Sequence, residues 1–544
     1  LIGCSQLSIS LINWICTLII RPVILPRMNF SEGIPEESRT LVVIPSMFND
    51  LKELEDLIEN LEVRFLANRG PNIHFALLTD FKDSKQETLS GEQELLSTAR
   101  TRIEELNNKY GKTNNEIFFI FHRPRKYNRK EKVWMGYERK RGKLAEMNAL
   151  LRGTGSEKFI LIVADTTVFA QIKYVITLDM DTHLPRDAAW KITGTMAHPM
   201  NHPYYNEKKH RVTEGYGILQ PRVAVSQPSN ESTLFARMHT NEPGIDPYTR
   251  AISDVYQDLF EEGSFIGKGI YDVDAFEKAI SERFPENRIL SHDLLEGSYA
   301  RCGLLSDVQL YEAYPVRYDV DMKRRHRWIR GDWQIASWML PLVPGPSKRI
   351  RKNPISALSK WKIFDNIRRS LVPIALLAML IFGWAYSHSP VVWTLAVVSI
   401  LLLNSGISFF WEIWQKPEDV HVLPHIVMSF HYTIQHFLLQ LFQLIMIPYE
   451  AFVYADAILR TNWRLILSHR HLLQWNPSQN LINGKNRNLF QTYLVMWFPV
   501  LLSIAIFEWL QYKQSDGIGV SIPLLIAWMI SPAIAWKISL PDRG

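Results

Sequence analysis

Residues 174–181 read Tyr174-Val175-Ile176-Thr177-Leu178-Asp179-Met180-Asp181. The first five are mostly apolar and β-branched and follow a polar stretch, a pattern typical of a short buried strand. Asp179 and Asp181 stand one residue apart where that strand ends, so both carboxylates can face one divalent cation. Hard oxygen ligands suit Mg²⁺ or Mn²⁺, and these cations also bind substrate phosphates. A pair with this spacing is more often a solvated turn when it occurs alone, so its meaning depends on the rest of the chain.

Strand and helix patterns alternate around this stretch. Residues 40–45, 73–78 and 117–121 predict strands, and residues 51–64 predict an amphipathic helix with one apolar face. This alternation predicts an α/β domain with a parallel sheet of nucleotide-binding type. Ligands of such sheets bind beyond the carboxyl ends of the strands. We therefore expect Asp80, which ends the second strand, to share one crevice with the acidic pair.

Long apolar segments lie near both ends of the sequence. Each is close to the roughly 20 residues that cross a bilayer, and Trp and Tyr cluster at their ends. Residues 387–390 contain no Lys or Arg, whereas residues 347–369 are rich in both, so the positive-inside rule predicts that residues 28–370 are cytoplasmic. The predicted spans are 7–25, 371–386, 391–414, 490–510 and 520–536, and residues 425–458 are predicted to be re-entrant or interfacial.

These patterns predict a multi-pass membrane protein with a cytoplasmic domain. Its first residue is Leu and its last residues follow a membrane segment, so we expect a portion of a longer polypeptide. The predicted organisation is a membrane helix in 1–27, a cytoplasmic domain in 28–355, an interfacial amphipathic helix in 356–370, a membrane region in 371–538 and the start of a further region in 539–544.

Basic residues are concentrated in one part of the predicted cytoplasmic domain. The net charge of the chain is +6, but residues 122–143 alone contain ten Lys or Arg and two Glu. Nucleic-acid binding is one explanation. An enzyme that lies beside anionic lipid and handles a nucleotide diphosphate is another, and we favour it because no nucleic-acid motif accompanies the charge. The three cysteines have no metal or redox spacing.

Two further motifs carry chemistry. Asp293 and Glu296 are three residues apart, so on a helix both carboxylates share one face; Ser291 as a simple helix N-cap is the alternative. Arg324 and Arg327 precede Trp328 in a strongly basic run. Arg binds phosphate with a planar pair of donors, and the flat face of Trp suits a sugar ring. A juxtamembrane basic patch is the alternative for this run.

The order of these motifs resembles that of processive family-2-like glycosyltransferases, such as cellulose and hyaluronan synthases. The chain departs from them in detail, because Ser291-His292-Asp293 stands where cellulose synthases have Thr-Glu-Asp, and Arg324 stands where they have Gln. Longer stretches resemble instead the glucosyltransferase domain of bacterial cyclic β-1,2-glucan synthases, and the likeness runs from about residue 26 to residue 538. These stretches are residues 26–35, 140–148, 244–248 and 263–272.

The resemblance implies a GT-A fold and an inverting transferase that uses UDP-glucose. It also implies a glucan acceptor, a metal cofactor (Mg²⁺ or Mn²⁺), contact with membrane lipid, downstream domains in the same polypeptide, and a place in the bacterial inner membrane. No nucleic-acid partner is expected. By motif, the resemblance implies that Asp80 contacts uridine and that Lys143 and Asn148 lie near the nucleotide. Asp179 and Asp181 would bind nucleotide and metal, and Asp293 would be the catalytic base with support from Glu296. The diphosphate and the acceptor end would be held by Arg324, Arg327 and Trp328.

The resembled family also builds its glucan on the protein itself, which requires a nucleophilic side chain near the site. Tyr248 and Tyr256 are the candidates, and an ordinary packed Tyr is an equal alternative for each. Two other functions stay open from the sequence. One is a membrane transferase that makes another linkage, as in cellulose or hyaluronan synthesis. The other is a non-enzymatic membrane scaffold, against which the intact Asp179, Asp293 and Trp328 argue.

Overall fold

The computed structural model describes residues 1–20, 23–111, 116–226, 233–239, 251–414, 421–474 and 488–541. Fifteen strands lie in these ranges, and nine of them form one central sheet. The strands are β1 (Thr40–Met47), β2 (Ile73–Asp80), β3 (Phe118–Arg123), β4 (Lys126–Asn128), β5 (Val133–Met135), β6 (Leu161–Val163), β7 (Tyr174–Thr177), β8 (Thr182–His183), β9 (Tyr204–Asn206), β10 (Arg211–Glu214), β11 (Ile218–Val225), β12 (Gly269–Asp272), β13 (Cys302–Glu312), β14 (Leu342–Pro344) and β15 (Ile350–Lys352).

Helices flank the sheet and then continue into the carboxyl-terminal part of the chain. Those beside the sheet are α2 (Leu51–Ala67), α3 (Glu92–Tyr110), α4 (Arg139–Leu151), α5 (Ala188–Met196), α6 (Leu234–His239), α7 (Ala251–Phe260), α8 (Val273–Ile280), α9 (Asp293–Ala300) and α10 (Tyr318–Gln334). The apolar ones are α1 (Ile2–Ile19), α11 (Ala357–Tyr386), α12 (Pro390–Trp414), α13 (Val422–Trp463), α14 (Leu489–Val495), α15 (Trp497–Tyr512) and α16 (Ile518–Ile538).

The central sheet has the order β6-β3-β2-β1-β7-β12-β11-β13-β8. Its first half confirms the predicted parallel arrangement, because β3, β2, β1 and β7 all run in the same direction. The predicted parallel arrangement does not extend to the whole sheet, since β6, β12 and β8 pair antiparallel with their neighbours. The antiparallel strands are short, and short strands leave too little hydrophobic pattern to show their direction in the sequence.

Packing on both faces of the sheet explains these elements. Every residue of β2 is buried, as expected of a strand covered by helices on both faces. Helix α2 begins at Asp50, whose carboxylate accepts the Glu53 amide hydrogen at 2.8 Å, as an N-cap should. The predicted apolar face of α2 is confirmed, since Leu54, Leu57, Ile58 and Leu61 are all buried. Because β1, β2 and β7 run parallel, their carboxyl ends lie on the same side of the sheet.

Three of the described helical stretches are long and apolar enough to cross a membrane: Ala357–Tyr386, Thr433–Ser468 and Ile518–Ile538. Helices α14 and α15 pass the same test together but meet at an angle of 66°. The sequence predicted one span there, residues 490–510. Pro499 lies in the first turn of α15, where a missing amide hydrogen is tolerated, and it cannot bond to the carbonyl that a continuous helix would present.

The helices α11 and α13 are both longer than the segments predicted from the sequence. Residues 356–370 and 371–386 were predicted as an interfacial helix followed by a span, whereas α11 is one continuous helix of 30 residues. Residues 425–458 were predicted to be re-entrant or interfacial. In the structure this stretch belongs to α13, one helix of 42 residues that continues past Pro448. The placement of each helix relative to a bilayer stays a prediction.

Helix α10 joins the sheet domain to α13 through polar contacts. Arg325 lies 3.5 Å from Glu450, and His326 Nε2 lies 2.9 Å from Asp456 Oδ2. The segment after α13 adds backbone contacts, because Gln334 donates to the Leu472 carbonyl at 2.8 Å. The basic helix that carries the predicted phosphate-binding residues is therefore fixed from the side of the apolar helices.

Candidate active site

A cavity of about 320 Å³ opens at the carboxyl ends of β1, β2, β7 and β13. Helices α4 and α10 and the start of α9 complete its walls. This is the volume of a small-molecule site, and the walls carry charges of both signs. The structure brings eight of the predicted site residues to this one cavity: Asp80, Lys143, Asp179, Asp181, Asp293, Arg324, Arg327 and Trp328.

The acidic pair after β7 has a third carboxylate beside it. Oxygen atoms of Asp179, Asp181 and Glu312, the last residue of β13, all lie within 4.8 Å of one another. Two lysines contact this set. Lys140 Nζ lies 2.6 Å from Asp179 Oδ1, and Lys268 Nζ lies 3.3 Å from Asp179 Oδ2 and 2.7 Å from Glu312 Oε1. The three carboxylates of this set outnumber the two ammonium groups that contact them.

The two aspartates of the pair titrate in opposite directions. Burial raises the pKa of Asp179, but Lys140 and Lys268 outweigh it and hold that pKa below its usual value. Burial raises the pKa of Asp181, and Glu312 and Asp179 raise it further. Asp179 is therefore the stable anion, and a further cation at this point would stabilise the charged form of Asp181.

These carboxylates fit a divalent cation of the Mg²⁺ or Mn²⁺ type. Such ions take hard oxygen ligands, and the ammonium of Lys268 between Asp179 and Glu312 shows that the set accommodates positive charge. The sequence predicted Asp179 and Asp181 for this role. The structure adds Glu312 as a third oxygen donor within reach of both.

Asp80 lies at the deep end of the cavity in a buried ion-pair network. Arg123 donates to both of its oxygens, at 2.8 and 2.9 Å, and also to Glu146 at 2.7 Å. Lys143 Nζ lies 3.3 Å from Asp80 as well. Burial raises the pKa of Asp80, but Arg123 and Lys143 outweigh it and lower that pKa to about 2. The Asp80 carboxylate is therefore ionised, and Arg123 occupies both of its oxygens.

Lys143 is a buried lysine of the same cavity. Its ammonium donates to the Ser46 carbonyl at the end of β1. Burial lowers its pKa to about 8, although Asp80 acts in the opposite direction. Lys143 thus carries a charge that changes just above neutral pH, close to where the predicted nucleotide would bind.

Asn148 does not line the cavity, although the sequence predicted it near the nucleotide. It is fully buried on α4. Its amide donates to Glu277 at 2.8 Å and accepts from the hydroxyl of Tyr271 at 2.9 Å. The observed contacts of Asn148 tie α4 to α8 and β12, behind the cavity wall.

Asp293 is the first residue of α9 and faces the cavity with a side chain that is 25% exposed. Gly267 packs against it with a backbone φ of +88°, and an added Cβ would lie 2.7 Å from Asp293 Oδ1. Glu296, one turn further on, is buried and lies 2.8 Å from His292. His292 lies beside both carboxylates, and of Asp293 and Glu296 only Asp293 lines the cavity.

The basic helix α10 supplies the opposite wall. The Arg324 guanidinium lies 4.7 Å from the centre of the Trp328 ring and 2.6 Å from Asp321. Arg327 faces Asp179, Asp181 and Asp293 electrostatically, yet burial and the adjacent Arg324 lower its pKa. The arrangement places two guanidinium groups and one aromatic face opposite the acidic set, as a diphosphate and a sugar require.

The two tyrosine candidates have different outcomes. Tyr248 lies outside the described residues. Tyr256 on α7 is buried, and its hydroxyl accepts a hydrogen bond from Trp361 at 3.0 Å. Burial also raises the pKa of Tyr256. These contacts favour an ordinary packed role for Tyr256.

Four charged residues that lie against the predicted carboxylates were not singled out in the sequence: Arg123, Lys140, Lys268 and Glu312. Lys268 lies within one of the quoted stretches, residues 263–272, without having been singled out. Glu312 ends a strand, which is the same signal that identified Asp80. Arg123 and Lys140 were counted only as part of a basic segment.

The fold and the cavity together define the class. The chain is an α/β protein with a charged cavity at the carboxyl ends of its strands, joined to helices long and apolar enough to cross a membrane.

The chain is 39% identical over 541 residues to the cyclic β-(1,2)-glucan synthase NdvB of Rhizobium meliloti (strain 1021). The alignment takes in 98% of this chain and 19% of that protein. The chain is therefore a relative of a cyclic β-glucan synthase, which confirms the resemblance seen in the sequence. It spans about a fifth of that protein's length. No family model matches the chain.

Proposed function

We propose that this chain transfers glucose from UDP-glucose to a growing β-1,2-glucan, with inversion at the anomeric carbon, on a domain of the GT-A class. The observation that carries the proposal is the single cavity, in which three carboxylates face two arginines and a tryptophan. The similarity to a cyclic β-(1,2)-glucan synthase supports the choice of glucose and of this linkage. The cavity lies at the carboxyl ends of the strands, which is where open α/β sheets bind their ligands.

In this proposal, donor and acceptor meet between α9 and α10. Asp293 accepts the proton of the acceptor hydroxyl as that oxygen attacks the anomeric carbon of glucose. A side chain must be within hydrogen-bond reach of the proton it removes, and Asp293 is the carboxylate of α9 that reaches the cavity. Attack on the face opposite to UDP inverts the configuration, so one base suffices and no second carboxylate of glycosidase type is required.

Charge develops on the departing UDP, and the cavity holds cations to receive it. Arg324 and Arg327 face the diphosphate from α10, and Lys143 lies near the deep end beside Asp80. Asp179, Asp181 and Glu312 would hold a divalent cation, which would neutralise the diphosphate oxygens. Preorganised charges of this kind stabilise the charge that develops in the transition state.

The flat face of Trp328 suits the ring of the acceptor sugar. Arg324 lies 4.7 Å from the centre of that ring. In this arrangement the face of the Trp328 ring would pack against the acceptor sugar while Asp293 takes the proton of its hydroxyl. Tyr248 remains the proposed site at which the glucan is attached to the protein.

A donor panel tests the proposal. The purified chain in nanodiscs is incubated with UDP-glucose, UDP-galactose, UDP-N-acetylglucosamine or GDP-glucose in the presence of Mg²⁺, and released nucleotide is measured. We expect turnover with UDP-glucose and at least tenfold less with the others. Asp293→Asn should lower UDP-glucose turnover by about 10² to 10⁴, the usual contribution of a general base.

Asp274→Asn is the matched control, because Asp274 is an exposed aspartate on α8 with a 64% exposed side chain. It should leave turnover within twofold of the wild-type value. Inertness towards UDP-glucose together with turnover of another donor would contradict the proposed substrate. Unchanged turnover in Asp293→Asn would contradict the proposed base.

A further inference from the structure

A buried ion pair lies directly behind Asp293. His292, the residue before it, is 4% exposed, and Glu296 is 2% exposed. The Nδ1 atom of His292 lies 2.8 Å from Glu296 Oε1 and 3.6 Å from Asp293 Oδ1. One imidazole therefore stands between a fully enclosed carboxylate and the carboxylate that faces the cavity.

The charged surroundings of this imidazole are defined on every side. From its own helix it faces Glu296 and Asp293, and from α4 it faces Arg141. Lys140 of α4 and Arg327 of α10 act on Asp293, and Glu277 of α8 acts on Glu296. Within the described residues, Glu296 is the closest anion to the His292 ring.

The balance of these charges favours a protonated imidazole. Burial lowers the pKa of His292, but Glu296 and Asp293 outweigh it, so that pKa lies above its ordinary value of 6.5. A buried cation and a buried anion at this distance stabilise each other, whereas either one alone would be strongly unfavourable.

We propose that the His292–Glu296 ion pair positions the carboxylate of Asp293 for its role as base; this rests on the proposed function above. Glu296 fixes the imidazole ring, and the ring presents positive charge to Asp293 from behind. Positive charge at that distance favours the ionised form of the carboxylate, which is the form that can accept a proton. His292 lines the cavity beside Asp293 but is only 4% exposed, and Glu296 does not line it; both are proposed to act through Asp293, as positioning residues.

The test replaces both members of the pair, by His292→Gln together with Glu296→Gln. The double variant removes both charges and leaves neither one buried alone, so it should fold, and size-exclusion chromatography with thermal unfolding checks this. With UDP-glucose, we expect kcat to fall 10- to 100-fold while KM for the donor stays within twofold. The acid limb of the kcat profile should move to higher pH, because Asp293 loses its neighbouring cation.

Glu296→Gln alone serves as the intermediate variant. It keeps the imidazole next to Asp293 but removes the anion that fixes it, so its kcat should lie between those of the wild type and the double variant. A double variant with wild-type kcat and an unmoved acid limb would overturn the proposal. A loss confined to KM would also overturn it, because that loss would indicate a role in donor binding.

A second readout needs no turnover. Because the folded-state pKa of His292 is raised above 6.5, protonation contributes stability that is fully present below pH 6.5 and is lost as pH rises through the folded-state value. The wild-type unfolding temperature should therefore fall relative to that of the double variant as pH rises above 6.5. Parallel curves would contradict a protonated pair. If the wild type transfers no glucose from UDP-glucose, the proposed function fails, and this comparison still decides whether the ion pair exists.

Discussion

Asp80 shows how the surrounding charges set the state of a site residue. Its carboxylate is buried, yet its pKa is lowered to about 2, because Arg123 and Lys143 outweigh burial. Arg123 also bonds to Glu146, so one guanidinium compensates two buried carboxylates. Arg123 is the cation that both carboxylates share, and Lys143 is a second cation beside Asp80.

Arg123→Met should therefore destabilise the fold by about 3–5 kcal/mol, the usual cost of leaving a buried charge without its partner. The matched control is Arg102→Met, because Arg102 pairs with Glu55 through side chains that are 42% and 38% exposed. Exposed pairs contribute at most about 1 kcal/mol. Denaturant titration of both variants in detergent measures the two free energies of unfolding. Equal losses would contradict the buried network.

Lys143 gives a pH prediction with a definite sign. Its pKa is about 8 because burial disfavours the ammonium, so it is charged below that pH and neutral above it. The KM for UDP-glucose should rise by about tenfold between pH 7 and pH 9.5, since a hydrogen bond to a charged group is worth about 1.5–3 kcal/mol.

Lys143→Arg keeps its charge throughout that range, so its KM should stay flat with pH even if its absolute value changes. Steady-state kinetics with UDP-glucose at half-unit pH steps measures both profiles. A wild-type KM that does not change across pH 8 would contradict a role for Lys143 in donor binding.

At the scale of elements, the turn before β12 supports α9. Gly267 has a φ of +88°, and a Cβ there would lie 2.7 Å from Asp293 Oδ1. Gly91 has a φ of +87° and no atom within 4 Å of its added Cβ. The two glycines therefore share the same backbone conformation and differ in what they touch.

Gly267→Ala and Gly91→Ala should each cost about 1–2 kcal/mol of stability, because both place a side chain in the left-handed region. Only Gly267→Ala should also lower kcat, by at least tenfold, because its methyl group displaces the carboxylate of Asp293. Thermal unfolding and kcat measured on the same two preparations separate the effects. Equal activities of the two variants would show that this contact does not matter.

The sequence predicted elements well where local pattern decides them. The strands β1, β2 and β7 and the apolar face of α2 followed from hydrophobic period alone. Strand direction did not follow, because β12 enters the sheet antiparallel to β7 through a contact between residues about 90 positions apart. The sequence did not predict that α11 and α13 are continuous over 30 and 42 residues, because polar residues within them suggested helix ends.

At the scale of the whole molecule, the site also combines features that local sequence pattern predicts with contacts that it does not predict. Acidic and basic motifs at strand ends and on α10 were recognised from sequence and meet in one cavity. Lys268 and Glu312 were missed because they come close to Asp179 only in the folded chain, from the turn before β12 and from the end of β13. Glu312 ends a strand as Asp80 does, so the strand-end signal alone does not select the charged residues that meet in the site. Contacts between residues far apart in the sequence decide which ones do.

The orientation of the chain is a further prediction at this scale. The loop between α11 and α12 should lie on the opposite side of the membrane from the α/β domain. Ser389→Cys in that loop and Ser97→Cys on α3 introduce thiols at exposed positions, in a background with Cys4→Ser and Cys16→Ser. In intact cells, an impermeant maleimide should label Ser389→Cys, whereas labelling of Ser97→Cys should require lysis. Labelling of both thiols from outside would contradict the predicted orientation.

The central claim is that this cavity transfers glucose from UDP-glucose into a β-1,2-linked glucan. Linkage analysis of the product formed by the purified chain from UDP-glucose tests it most directly, with Asp293→Asn and Asp274→Asn prepared in parallel. The account predicts 2-linked glucose from the wild type and from Asp274→Asn, and almost none from Asp293→Asn. A product with 3- or 4-linked glucose would contradict the assigned linkage, and 2-linked product from Asp293→Asn at the wild-type level would contradict the assigned site.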